Sequence, residues 1–206
     1  MTDPAAFVKA QAAFGTATGG TLDIMFSNAG ISTGGMFDEM PWDGIMRIVN
    51  VNFIGVMIGI RAATPLLKAT PNALSLVTSS SAIIGTAGIA VYSATKHAVR
   101  GLTEALSIEL KRFGVRAADL LPGLIDMPLL GDKMRAMAPA EGMWRLIPAR
   151  EVAEAAWAAY RADTLHWYVP RELKDFRHHV VELPEVVREE RTALIAAMMP
   201  PAEVAA

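Results

Sequence analysis

Cysteine is missing from all 206 residues, which excludes disulfides, thiolate metal ligands and a cysteine nucleophile. A surplus of either charge is missing too, since 19 Lys and Arg stand against 21 Asp and Glu for a net charge of −2. That balance leaves no basic footprint of the kind nucleic acid or an anionic membrane selects, so small molecules or other proteins are the expected partners. The opening "MTDPAAF" has no basic segment followed by an apolar core, and no secretory signal is expected. Long apolar runs are scarce: "FIGVMIGI" at 53–60 is too short to cross a bilayer, and a cytoplasmic protein is expected. His178 and His179 have no second ligand pair at metal spacing, so they read as a solvated helix face and no metal site is expected.

What is present is an apolar chain, 52% hydrophobic, long enough for one well-buried domain. Pro4 to Phe14 reads as a helix stopped by "GTATGGT", and "LDIMFSN" (22–28) as a strand ended by Asn-Ala-Gly. A long helix is expected from Pro41 to about Ala69, with Ile45, Ile48, Val49, Asn52, Val56, Ile60 and Ala63 on one stripe. "ALSLVTS" (73–79) reads as a strand, residues 92–114 as a helix stopped by glycine, and "VRAADLL" (115–121) as a strand ended by Pro122-Gly123. A further helix over about Arg150–Arg161 and a strand "LHWYVP" continue the rhythm, with charged helical segments from 171 onward and a frayed end. Strands without a polar face, alternating with helices, predict a doubly wound parallel sheet in three α/β/α layers.

In such a sheet the ligand crevice lies beyond the carboxyl ends of the strands. Ser79 ends one strand there, and Tyr92 and Lys96 open the next helix one turn apart. Tyrosine ionises near pH 10 when unperturbed; a neighbouring cation and a helix N-terminus both favour the phenolate, so Tyr92 and Lys96 form a candidate acid–base pair. A serine hydroxyl aimed at the same point steadies a developing alkoxide. Asn52, polar on an apolar stripe, has to find partners or cost stability, and a buried water leading protons to Lys96 would satisfy it.

Taken with "SNAG" (27–30), "NFIG" (52–55), Ser79 thirteen residues before Tyr92, "YSATK" and "PGLIDMP" (122–128), the chain resembles the short-chain dehydrogenase/reductases from roughly Thr2 to Val169. The resemblance implies a Rossmann-type fold and hydride transfer between NAD or NADP and an alcohol or carbonyl carbon. It makes Tyr92 the general acid or base and Ser79 the group that orients the carbonyl. Lys96 binds the nicotinamide ribose and lowers the tyrosine pKa, and Asn52 holds the proton-relay water. Asn28, Ala29 and Gly30 line the cofactor, with Tyr92 and Lys96 touching it and Pro122, Gly123 and Ile125 near the nicotinamide. The helices at 41–69 and 92–112 correspond to the family's dimer and tetramer interface, so a homodimer or homotetramer is expected.

Two positions depart from the pattern. Met127 stands where the family usually has a threonine that contacts the carboxamide. The family's T-G-x-x-x-G-x-G loop, whose amides approach the pyrophosphate at a helix N-terminus, has no counterpart; "GTATGG" (15–20) has the wrong spacing and follows a helix. "MTDPAAF" resembles the D-x-T-D-P segment after the family's third strand, so residues 1–206 read as one domain lacking its first strands. About 55 to 60 residues are expected to be absent, and residues 171–206 form a C-terminal helical extension. Met1 is then an internal methionine of a longer enzyme, and "LDIMFSN" becomes a bare sheet edge. The alternative is a truncated, non-catalytic remnant that keeps only assembly surfaces. Ile83, Ile84, Met127, Leu129, Leu130, Met134, Met137, Met143 and Trp144 would suit an apolar substrate.

Overall fold

The computed structural model describes residues 2–78 and 81–198. Helix α1 (Pro4–Ala17) starts where the Asp3 carboxylate accepts hydrogen bonds from the amides of Ala5 and Ala6, with proline at its first position. It runs three residues beyond the expected stop at Phe14. The chain turns only at Gly19 and Gly20, with φ of +66° and +88°, a left-handed conformation glycine adopts without a Cβ penalty.

Strand β1 (Ile24–Ser27) is followed by helix α2 (Trp42–Val49), a single π-type turn (Asn50–Ile54) and helix α3 (Gly55–Lys68). The expected long helix is therefore present but not uniform: the Gly55 amide reaches back to the Asn50 carbonyl, five residues away. The extra residue in that turn changes the direction in which Asn52 leaves the helix. At 27 residues, Trp42–Lys68 is long and apolar enough to cross a membrane, which the 53–60 run alone was not. Ile45, Ile48, Val56, Ile60, Ala63 and Leu67 are nevertheless buried against the rest of the chain, as in a core helix.

Strand β2 (Leu74–Thr78), helix α4 (Ala90–Glu109), strand β3 (Arg116–Pro122), helix α6 (Ala149–Tyr160) and strand β6 (His166–Val169) complete a parallel sheet in the order β1-β2-β3-β6. Between them lie two short parallel strands, β4 (Leu124–Asp126) and β5 (Leu146–Pro148), and a short helix α5 (Asp132–Met137), none of which the sequence pattern reveals. Three-residue strands are shorter than any apolar period. Helices α7 (Leu173–Glu182) and α8 (Pro184–Met198) close the described chain.

All five residues of β2 are buried, as two-sided coverage requires. Leu74, Leu76, Ala118 and Leu120 pack with Val152 and Ala159 of α6 on one face; Val77 packs with Val56, Ile60 and Val99 of α3 and α4 on the other. The result is a Rossmann-like three-layer α/β/α architecture. Strand β1 forms one edge of the sheet, and Phe26 on it is 40% exposed.

The start of β1 is fastened by Thr70, whose hydroxyl accepts the buried Leu22 amide at 2.8 Å and donates to the Leu66 carbonyl at 2.9 Å. Thr70→Val leaves that amide without an acceptor and is expected to cost about 1–3 kcal/mol in urea unfolding, with Thr70→Ser close to wild type. Equal stability of the valine variant and wild type would refute this role.

Candidate active site

The carboxyl ends of β1 and β2 and the first turns of α4 converge on one buried amine. Lys96 is 5% exposed, and its Nζ donates to the Thr78 carbonyl at 3.0 Å. Tyr92, one turn earlier on the same face, is 8% exposed with its ring centroid 5.4 Å from Nζ. Helix α4 begins two residues before Tyr92, so the lysine lies in a part of the helix whose dipole disfavours positive charge. Burial adds to this, and the amine is lowered from its ordinary 10.5 to about 8 by desolvation.

The backbone after β1 closes over the same point. A Cβ added at Gly30 would stand 3.4 Å from Asn52 Oδ1 and 3.5 Å from Lys96 Nζ, so the Gly30 backbone packs within van der Waals reach of the asparagine and the amine. Asn28 Oδ1 accepts the Thr78 hydroxyl at 2.9 Å, which ties the ends of the two strands together. Asn52, fully buried, accepts the Ile31 amide and donates to the Ile31 carbonyl, both at 2.8 Å, with a longer contact of 3.4 Å to Thr95 Oγ1. Thr95 in turn donates to the Tyr92 carbonyl at 2.7 Å. The expected polar partners of Asn52 are thus main-chain groups and a threonine.

Asn28, Gly30, Asn52, Tyr92 and Lys96 are brought together, with Ala29 between the first two. Ser79 lies outside the described residues. Pro122 ends β3, and Gly123 donates to the Val169 carbonyl at 2.8 Å, which joins this turn to β6. The Ile125 side chain packs with the cluster of Leu120 and Val152, toward α6. At the departing position, the Met127 carbonyl accepts from Arg135 at 3.3 Å, and Arg135 also pairs with Asp126. A guanidinium on α5 therefore fixes the segment in which the family usually places a threonine.

Sequence reasoning missed Thr78, Thr95 and Ile31. Two of them act through main-chain carbonyls or amides, for which a sequence carries no signal.

A model of the family described as short chain dehydrogenase matches residues 1–138, and the chain belongs to that family. It is 36% identical over 130 residues to a 3-alpha-(or 20-beta)-hydroxysteroid dehydrogenase of Mycobacterium tuberculosis, covering 63% of this chain and 50% of that protein. A cyclohexanol dehydrogenase of an Acinetobacter species is 33% identical over 150 residues, covering 71% and 60%. Among solved structures, a 3-ketoacyl-(acyl-carrier-protein) reductase from Brucella melitensis complexed with NADH superposes with a TM-score of 0.70 at 28% identity, over 82% of this chain and 73% of that one. The chain spans about half the length of the first of these relatives.

The lysine has a consequence for stability that needs no ligand. Because its folded pKa is depressed, the unfolded chain still holds a proton between about 8 and 10.5 that the folded protein has released. Stability therefore rises with pH across that window, by on the order of 3 kcal/mol for a shift of this size. Lys96→Met is expected to remove the rise, read by urea unfolding at the two ends of the window. A wild type as flat as the variant would contradict the assignment.

Proposed function

We propose that the chain carries the catalytic half of an oxidoreductase that interconverts a secondary alcohol and a carbonyl, with NAD or NADP as the hydride carrier. The observation that carries this reading is the buried, desolvated Lys96 amine beside the Tyr92 ring. Tyr92 exchanges a proton with the substrate oxygen, and the adjacent ammonium favours its phenolate. Ser79 orients that oxygen. Asn52 holds the Gly30–Ile31 backbone over the amine and stands beside the route by which the proton leaves.

The approach of the Gly30 backbone to Lys96 supports a nicotinamide ribose lying alongside both and reaching the amine. Asn28 and Ala29 flank it, and Pro122, Gly123 and Ile125 approach from the end of β3. When bound, the dinucleotide supplies or accepts the hydride; the side chains named here hold it, orient the substrate and move the proton.

The substrate class we infer is an apolar, ring-borne alcohol. The two curated relatives act, by name, on a hydroxysteroid and on cyclohexanol. Ile83 is buried in a cluster with Met143 and Trp144, forming an apolar wall, whereas Leu129, Met134 and Met137 are 41–49% exposed. Flexible methionines adapt to the outline of such a ligand. The reading places the enzyme in the cytoplasm, as a dimer or tetramer through α2, α3 and α4; the 78% exposure of Ile108 supports an assembly face on α4. A non-catalytic assembly protein is the second reading, favoured by that same face.

Cyclohexanol and a hydroxysteroid, tested beside small linear polar alcohols with NAD and NADP, are expected to be the better substrates. Tyr92→Phe should lower kcat by about 10²–10⁴. Preference for polar linear alcohols would overturn the substrate class, and a Tyr92→Phe enzyme as fast as wild type would overturn the mechanism.

A further inference from the structure

On the row of α4 that carries Tyr92 and Lys96, the next two positions at four-residue spacing are Arg100 and Glu104. They belong to a second cluster of ionisable groups, on the α4 face of the sheet. Arg100, 7% exposed, donates through Nε to Glu104 at 3.0 Å and through a terminal nitrogen to the Ala82 carbonyl at 3.1 Å. Ala82 and Ile83 belong to the apolar wall described above. His166 of β6 stands between two carboxyl groups, with Nδ1 2.7 Å from Asp119 Oδ1 and Nε2 3.4 Å from Glu104 Oε1.

Asp119, in the middle of β3, is fully buried, and its Oδ2 has no hydrogen-bond partner among the described residues. A bare buried carboxylate oxygen is costly, and burial raises the Asp119 pKa against the opposing pull of His166 and Arg100. Tyr168, whose ring meets the imidazole edge-on, and Arg177 of α7, whose charge acts on Tyr168, are the other titratable neighbours. Glu151 and Glu154 of α6 line the open groove that His166 also borders.

The proton inventory decides what this group can do. Ionised carboxylates only accept hydrogen bonds, and a neutral imidazole has a single N–H. His166 Nδ1 and Asp119 Oδ1 are joined by one hydrogen bond, and the 3.4 Å approach of Nε2 to Glu104 is electrostatically favourable only when one further proton is present on the Asp119–His166 pair. With it, Arg100, Glu104, Asp119 and His166 sum to zero charge; without it, they leave one buried negative charge.

We propose that Asp119 and His166 share this proton, and that the shared proton staples β6 to α4 and sets how firmly Arg100 holds the pocket wall at Ala82. Asp119, His166 and Glu104 are then positioning residues for the wall. The value of the staple to catalysis rests on the function proposed above, whereas its existence does not. For a carboxyl group held above its unfolded value, the folded state keeps a proton that the unfolded chain sheds above the ordinary aspartate value of 3.8. The stability it confers is whole below that value and is lost as pH rises through the folded pKa.

The test is thermal unfolding of the full 206-residue chain across a pH series from about 5 to about 8, beside Asp119→Asn, which cannot titrate, and Asp119→Leu, which also removes the buried polar atoms and keeps the measurement decisive where the first variant does not fold. Subtracting each variant's curve from the wild-type curve cancels the contribution of Lys96 and of every group they share. Wild type is expected to lose about 4 °C in Tm across the series relative to either variant. The protection of the Ile83 amide against hydrogen exchange, normalised to the unfolded chain, should fall with it in wild type alone. Curves for wild type and variants that run parallel, or Ile83 protection with the same pH dependence in all, would overturn the proposal. Neither readout uses turnover, so its failure is separate from failure of the functional reading.

Discussion

The structure turns on one unfavourable placement: an amine buried to 5% exposure, in the early turns of a helix whose dipole repels it, donating to the Thr78 carbonyl. Nothing in packing alone asks for a lysine there. The neighbouring features make sense as its support. Asn28 ties down Thr78, whose carbonyl accepts the hydrogen bond from the lysine; Gly30 brings the backbone within van der Waals reach of the amine; and Asn52 holds that backbone in place. The strained charge is tolerated because the strands on either side are bound into a fully buried parallel sheet.

Much of this was legible in the chain because it depends on period and punctuation. Apolar runs without a polar face, alternating with helical stripes, are enough for the parallel three-layer sheet, and the Tyr92–Lys96 spacing places both on one helix face. The α1 N-terminus was readable from Asp3-Pro4, but its end was not, since residues 15–17 continue as helix and the turn comes only at Gly19 and Gly20. The π-type turn at Asn52 was invisible, because the buried residues on either side of it still recur at spacings of three and four and no residue type marks the turn. Strands β4 and β5, at three residues each, fall below the length at which alternation can be counted.

At the site, side-chain identities were legible and their partners were not. Asn52 stood out as a polar residue on an apolar face, yet its partners are the amide and carbonyl of Ile31, twenty-one positions away. Asp119 offered no signal beyond a charge inside an apolar strand, and its meaning depends on His166 arriving from β6, forty-seven residues later. Pairings of this kind are set by topology. The substrate wall shows the same limit: Ile83, Met143 and Trp144 were indistinguishable by sequence from Leu129, Met134 and Met137, and only the fold separates the packed group from the exposed one.

The central claim is that the ends of β1 and β2 and the start of α4 form a working seat for the nicotinamide half of a dinucleotide. Its most direct test is titration of the purified chain with NADH and NADPH, followed by nicotinamide fluorescence, with Lys96→Met and wild type both shown to be folded. Saturable binding by wild type, weakened about tenfold or more by the loss of the amine, is the result this account predicts. Binding that is indifferent to Lys96, or none at all from a folded wild-type chain, would contradict it.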